Sequence, residues 1–257
     1  MRDPGLSEAI QAVGGVSELA RRIGISQPSV SNWDKVPAER VLAVEAATGV
    51  ARMRLRPDLY QEPPASDVDE IDLARSREYA LLSALLARAP DADVLARLAR
   101  LSGDASPLGL AHVALAEAAA EADVTKVERE YFNLFIGLGR GELLPYGSYY
   151  LTGFLNERPL ARLRDDLAVA GVERVEGNYE PEDHAATLCE IMSGLSGGTL
   201  PAPEGMDRTL FEKHLAPWIG RFFADLERAE AANFYRHVGT VGRVFVEIET
   251  EAFALPS

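Results

Sequence analysis

Glu180, Glu182, Asp183 and His184 fall within five residues of the stretch "NYEPEDHAATL", around one proline and just ahead of an apolar helical run. Carboxylates and an imidazole so placed could start a helix, exchange protons, or receive a cationic group. As a helix start, Pro181 suits the first position and Glu182 and Asp183 the first turn, where the helix dipole favours negative charge. Ala185, Leu188, Ile191 and Leu195 would then form the buried face. His184 is left unexplained, because the dipole disfavours an imidazolium there while the neighbouring acids favour it.

Catalysis fits these residues poorly. Adjacent side chains on a helix diverge by about 100°, so Asp183 and His184 make a poor hydrogen-bonded dyad. "YGSYY" around Ser148 is not the G-x-S-x-G elbow of a serine hydrolase. Glu180, His184 and Cys189 match no common metal-ligand spacing, and a lone cysteine excludes an internal disulfide or a cysteine-based zinc site. The glycines of "GLGRG" have no Lys-Ser/Thr after them and no strand before them, so they are no phosphate cradle. The expectation is a protein that is not an enzyme, with no metal and no cofactor.

A second irregular segment, "FIGLGRGELLPYGSYYL" from Phe135 to Leu151, has three glycines that let the backbone turn and Pro145 that fixes an extended or turn geometry. Tyr146, Tyr149, Tyr150 and Leu151 are too apolar for an idle solvent loop. The segment is expected to pack on the helices as one wall of a groove.

The elements that must position these two segments read as helices. "DLARSREYALLSALLARA" places Leu73, Tyr79, Leu82, Leu85 and Leu86 along one stripe. "LAHVALAEAAAEA", "TKVEREYFNLFIG" and "DRTLFEKHLAPWIGRFFADLERA" continue the pattern. "GRVFVEI" alone has strand-like density, but it lies inside a long helical pattern. The fold class is all-α: a small helix-turn-helix domain over 1–60, an acidic proline-containing linker "QEPPASDVDEID" over 61–72, and a helical bundle over 73–257.

Charge divides along the same line. Residues 1–60 carry eight Lys/Arg and seven Asp/Glu, against eighteen and thirty-three in the remainder of a chain of net charge −14. So acidic a body repels nucleic acid and attracts cationic partners. No apolar run approaches the roughly 18 residues of a spanning helix, so no membrane insertion is expected. The opening "MRDPGLSEAI" lacks the apolar core of a secretory signal, which predicts a cytoplasmic protein.

"SELARRIGISQPSVSNWDKV" has the grammar of a helix-turn-helix. Ser17 and Ser26 are expected to cap two short helices, and Gly24 to turn between them. Ala20, Gly24 and Val30 give the order small–x3–Gly–x5–aliphatic, with Val30 and Trp33 pointing into the core. The outward face of the second helix would carry Gln27, Ser29 and Asn32, which suit adenine edges. Arg21, Arg22 and Lys35 would hold phosphates. The alternative is a module that contacts protein, because a net +1 is weak for DNA binding; a homodimer would double the basic surface. This segment resembles the Cro-like helix-turn-helix family, especially its YdaS-type members, through "LRPDLY".

The body resembles the TorD/DmsD/NarJ family of redox-enzyme maturation chaperones. The carriers are "EREYFNLFIG", "LPYGSYYL", "EPEDHAATLCEIMSGL" and "FEKHLAPWIGRFFADLERAEAANFYRHVG". The resemblance implies an all-helical bundle that holds a cytoplasmic apo-molybdoenzyme, formate dehydrogenase-like or another molybdenum oxidoreductase, by its twin-arginine signal peptide. It places Asp183 and His184 at the leader-recognition positions, with Glu180, Glu182, Tyr146, Ser148 and Tyr150 as neighbours. Leu138 stands where the family usually has proline, which bears on the loop's geometry. Two guanidinium groups followed by an apolar stretch need fixed carboxylates beside a greasy groove. Glu180, Glu182 and Asp183 would supply the first; Phe135, Leu143, Leu144, Pro145, Tyr146 and Tyr150 the second. The alternative is a transcription regulator that uses this fold to sense another ligand or client.

Overall fold

The computed structural model describes residues 3–59, 68–172 and 180–255. Among them the regular elements are helical, and one isolated antiparallel bridge pairs Tyr146 with His184. The chain forms two compact units, Met1–Asp67 and Val68–Ser257.

The first unit contains α1 (Pro4–Ala12), α2 (Val16–Arg22), α3 (Gln27–Ser31), a 3-10 turn at Ala38–Arg40, α4 (Val41–Thr48) and α5 (Arg52–Leu55). Its core is small and aliphatic: Leu6, Leu19, Val30, Val36, Val41, Val44 and Leu55 are fully buried. Ala20 is buried and Trp33 packs against the same cluster. Gly24 turns between α2 and α3 at φ +69, a conformation that side chains disfavour. Ser26 caps α3 by accepting from the Ser29 amide at 3.4 Å. Ser17 does not cap α2. That helix begins a residue earlier, and Gly15 precedes it at φ +139, a backbone that serine would not adopt.

The second unit contains α6 (Glu70–Ala87), α7 (Ala92–Leu98), α8 (Pro107–Ala120), α9 (Val124–Tyr131), α10 (Gly147–Thr152), α11 (Arg158–Val169), α12 (Ala185–Ser196), α13 (Met206–Leu210), α14 (Ile219–Arg228) and α15 (Phe234–Ala254). One-turn π-helices at Phe132–Ile136 and Phe211–Leu215 extend α9 and α13. Side chains of Asp69, Asp91, Ser106 and Asp123 cap α6 to α9 by accepting from the amide three residues on. Residues 70–72, read above as linker, are therefore the first turn of α6; residues 61–67 lie outside the described residues.

Helix α12 runs against α6, and α15 packs on both α14 and α8. Tyr79, Leu82, Leu85 and Leu86 of the predicted stripe are buried, while Leu73 stays 36% exposed. "GRVFVEI" is helical within α15, as its surroundings predict. Trp218, Phe211, Phe222, Phe223 and Tyr235 fill the centre, each contributing about 1.5–3 kcal/mol by its burial. A buried carboxylate, Glu249, accepts from Arg75 Nε at 2.8 Å and from the Tyr79 hydroxyl at 2.8 Å.

Candidate functional site

The π-turn at Phe132–Ile136 delivers the chain into the glycine-rich loop. Gly137 sits at φ +63, and a Cβ there would lie 2.0 Å from the Arg140 carbonyl oxygen, so the reversal needs glycine. The returning strand-like segment is held by the Glu142 and Leu143 amides, which donate to Asn133 and Leu134 carbonyls at 3.0 and 2.8 Å. Beyond Pro145, α10 begins at Gly147, where a Cβ would meet the Trp218 indole at 3.0 Å.

The acidic turn docks on this loop. The Ala185 amide donates to the Pro145 carbonyl at 2.8 Å, and the Gly147 amide to the Asp183 carbonyl at 2.9 Å. The Ser148 amide donates to Asp183 Oδ2 at 2.7 Å. Thus the two irregular segments, some 35 residues apart in sequence, meet as one structure.

Helix α12 starts at Ala185 rather than at Pro181, and Pro181, Glu182 and Asp183 form the turn before it. His184 is the cap: its Nδ1 accepts from the Ala186 amide at 3.1 Å. An accepting Nδ1 has no proton, so the ring is neutral with its proton on Nε2. Burial lowers its pKa in the same direction, against the pull of Glu180 and Asp183. The Tyr146 ring packs edge-on to it at 5.0 Å.

The expected site residues separate into those that face this junction and those that do not. Pro145, Tyr146, Ser148, Asp183 and His184 lie at it. Asp183 is 3% exposed, Ser148 fully buried and His184 9% exposed. The Tyr146 hydroxyl donates to Glu180, and burial together with that carboxylate raises the phenol's pKa. Glu182 is engaged by Arg164 of α11, through Nε at 2.9 Å and Nη2 at 2.8 Å. Tyr150 turns the other way, into Trp218 and Phe222, with its hydroxyl 3.1 Å from Asp225. Phe135 is half-buried against the core, its ring edge-on to Tyr131 and Tyr235 at 5.1 and 5.5 Å.

Two concavities flank the junction. One, of about 490 Å³, is lined by Gly147, Leu151, Pro159 and Leu163, and by Asp183, Asp166, Arg162, Lys213 and His214. The other, of about 530 Å³, sets Glu180, Glu182 and Glu190 beside Leu167, Val172, Ile191 and Leu200. Together they supply carboxylates next to apolar walls. In the first, Asp166 Oδ2 is 2.8 Å from His214 Nε2 and 3.2 Å from Lys213 Nζ, and these partners hold its carboxyl below the usual range. Sequence reasoning missed Asp166, Lys213 and His214; the only signal was "FEKHL", which now proves to be a π-turn, a bulge frequent at functional sites. Cys189 is buried, and burial pushes its thiol up to about 12, so it is no nucleophile here. Among the described residues no three His, Cys, Asp or Glu side chains converge as metal ligands.

In the first unit, Gln27, Ser29 and Asn32 are exposed on α3 and beyond its end. The basic residues are exposed but each sits in a surface ion pair. Arg21 and Arg22 both bind Glu18, at 2.6 and 3.0 Å, and the two arginines hold that carboxyl down at about 2. Lys35 pairs with Asp58 at 3.0 Å. The i,i+3 and i,i+4 spacing of Glu18 to the arginines was visible in the sequence.

Residues 102–224 match the family model described as nitrate reductase delta subunit, and residues 6–64 the model described as bacterial toxin YdaS. The chaperone protein TorD of Vibrio cholerae serotype O1 (strain El Tor Inaba N16961) is 24% identical over 127 residues. That alignment covers 46% of this chain and 58% of the relative, so the chain spans little more than half the Vibrio protein's length. TorD of Shewanella pealeana is 24% identical over 211 residues, 72% of this chain and 92% of its own. YdaS of Escherichia coli K12 is 47% identical over 58 residues, 20% of this chain and 59% of its own. A solved structure from Archaeoglobus fulgidus aligns with 72% of this chain and 99% of itself, at a TM-score of 0.49 and 20% identity.

Proposed function

We propose that this chain, which joins a region similar to the nitrate reductase delta subunit family and to TorD chaperones to a YdaS-like region, is a cytoplasmic maturation chaperone. Its client is an apo-molybdoenzyme, formate dehydrogenase-like or a related molybdenum oxidoreductase, held by a twin-arginine leader at the junction of the glycine-rich loop and the acidic turn. The observation that carries this reading is the docking of Asp183 onto the Ser148 amide, which holds a buried carboxylate at the edge of a concavity. A fixed anion beside Leu151, Pro159 and Leu163 suits a guanidinium on an apolar tether.

Calorimetric titration of the full chain with a synthetic twin-arginine leader peptide tests it. Binding is expected at low salt and should weaken roughly three- to tenfold on going to about 0.5 M salt, because charge pairs are screened and apolar contacts are not. No heat of binding at either salt would remove the reading. No described helix is long and apolar enough to cross a membrane, which is compatible with a chaperone that works before export.

For the first unit the proposal is DNA binding, as a dimer, through α3. The exposed Gln27, Ser29 and Asn32 support it; the Glu18 clamp on Arg21 and Arg22 opposes it at the phosphates. Glu18→Gln should therefore raise retention on a DNA column several-fold at low salt. If neither the native chain nor the variant is retained, the unit contacts protein instead, and the rival reading of a transcription regulator falls with it.

A further inference from the structure

We propose that the cavity bounded by α10, α11 and the Phe211–Leu215 turn seats one guanidinium group of the bound peptide between Asp183 and Asp166. The inference rests on the leader reading above and adds the two residues that grip one arginine. Asp183 uses Oδ2 to accept from the Ser148 amide, while Oδ1 is buried without a hydrogen-bond partner among the described residues, as is the Ser148 hydroxyl. A buried carboxylate oxygen of this kind calls for a donor. Asp166 lines the same cavity from α11.

The two present partners of Asp166 differ in kind. His214 is 8% exposed in its side chain, and its carbonyl accepts from the Trp218 indole at 2.6 Å, so it is fixed. Lys213 is 58% exposed and makes a longer contact of 3.2 Å, so solvent screens it and little holds it there. An incoming guanidinium can take its place. Five donors in a planar fork span two carboxylates, which the compact ammonium of lysine does not. Leu151, Pro159 and Leu163 cover the aliphatic stem.

The full chain is titrated calorimetrically with a synthetic peptide carrying two adjacent arginines before an apolar segment, and with lysine replacing each arginine in turn. Asp166→Asn should weaken binding of the native peptide about tenfold, and Lys213→Ala should tighten it about threefold. One lysine peptide should bind the native chain about tenfold more weakly, and that preference should vanish in Asp166→Asn. Thermal melts confirm folding, and Lys213→Ala decides the matter if Asp166→Asn does not fold. Native-like affinity in both variants, with intact binding by the native chain, overturns this seat and leaves the leader reading standing. A native chain that binds no peptide overturns the leader reading itself.

Discussion

Asp183→Ala is expected to abolish leader-peptide binding and to lower stability by about 2–3 kcal/mol, whereas Asp183→Asn keeps most of the stability yet weakens binding about tenfold. The alanine removes the acceptor of the Ser148 amide, a bond of 2.7 Å in a buried setting, and leaves that N–H unpaired. The main-chain bonds from Gly147 to Asp183 and from Ala185 to Pro145 remain, so the bridge of Tyr146 with His184 keeps its register. The asparagine offers an oxygen to the same amide but carries no charge. Loss of binding with retained structure is thus diagnostic of the anion. Urea denaturation gives the first quantity and calorimetry with the twin-arginine peptide the second. Equal affinity of Asp183→Asn and the native chain would show that the carboxylate only holds the fold.

The helices were legible in the sequence because their apolar spacing is regular, and the helix-turn-helix because Ala20, Gly24 and Val30 each meet a steric demand at a fixed offset. The pairing of the glycine-rich loop with the acidic turn entered through family resemblance, since its hydrogen bonds join residues about 35 positions apart and leave no periodic trace. Other features differ from the sequence expectation for physical reasons. Pro181 was placed inside a helix that actually begins at Ala185, because an imidazole cap at His184 outweighed the proline signal. Phe135 lies in a π-turn and packs edge-on against Tyr131, half-buried, a placement that apolar spacing alone does not show. Glu182 pairs with Arg164 of another helix, a contact that no local spacing shows. The Asp166–Lys213–His214 group spans 47 and 48 positions, beyond any local pattern.

Glu130→Ala is expected to cost about 3–5 kcal/mol, a large part of the 5–15 kcal/mol that a typical domain possesses. Glu130 lies in the last turn of α9, where its charge opposes the local helix dipole, so its reason for being there is elsewhere. Its carboxylate accepts from the amides of Asn233, Phe234 and Tyr235 at 2.8, 3.1 and 2.6 Å. No side chain of α15 caps its own start, so this one residue satisfies three amides at the start of the longest described helix from 103 positions away. Phe234 and Tyr235 are buried at that start, and the Tyr235 hydroxyl donates to the Leu85 carbonyl at 3.0 Å, which ties the cap to the core. Glu130→Gln retains acceptor oxygen without charge and should cost about half as much. A parallel contact, Glu142 to the Glu230 and Ala231 amides at 2.6 and 3.0 Å, is exposed, so its loss should cost much less. Denaturant midpoints measure all three. Peptide affinity per folded molecule should stay native in Glu130→Ala, because the cap lies outside both concavities beside the acidic turn; a midpoint unchanged from the native chain would show that water caps α15 equally well.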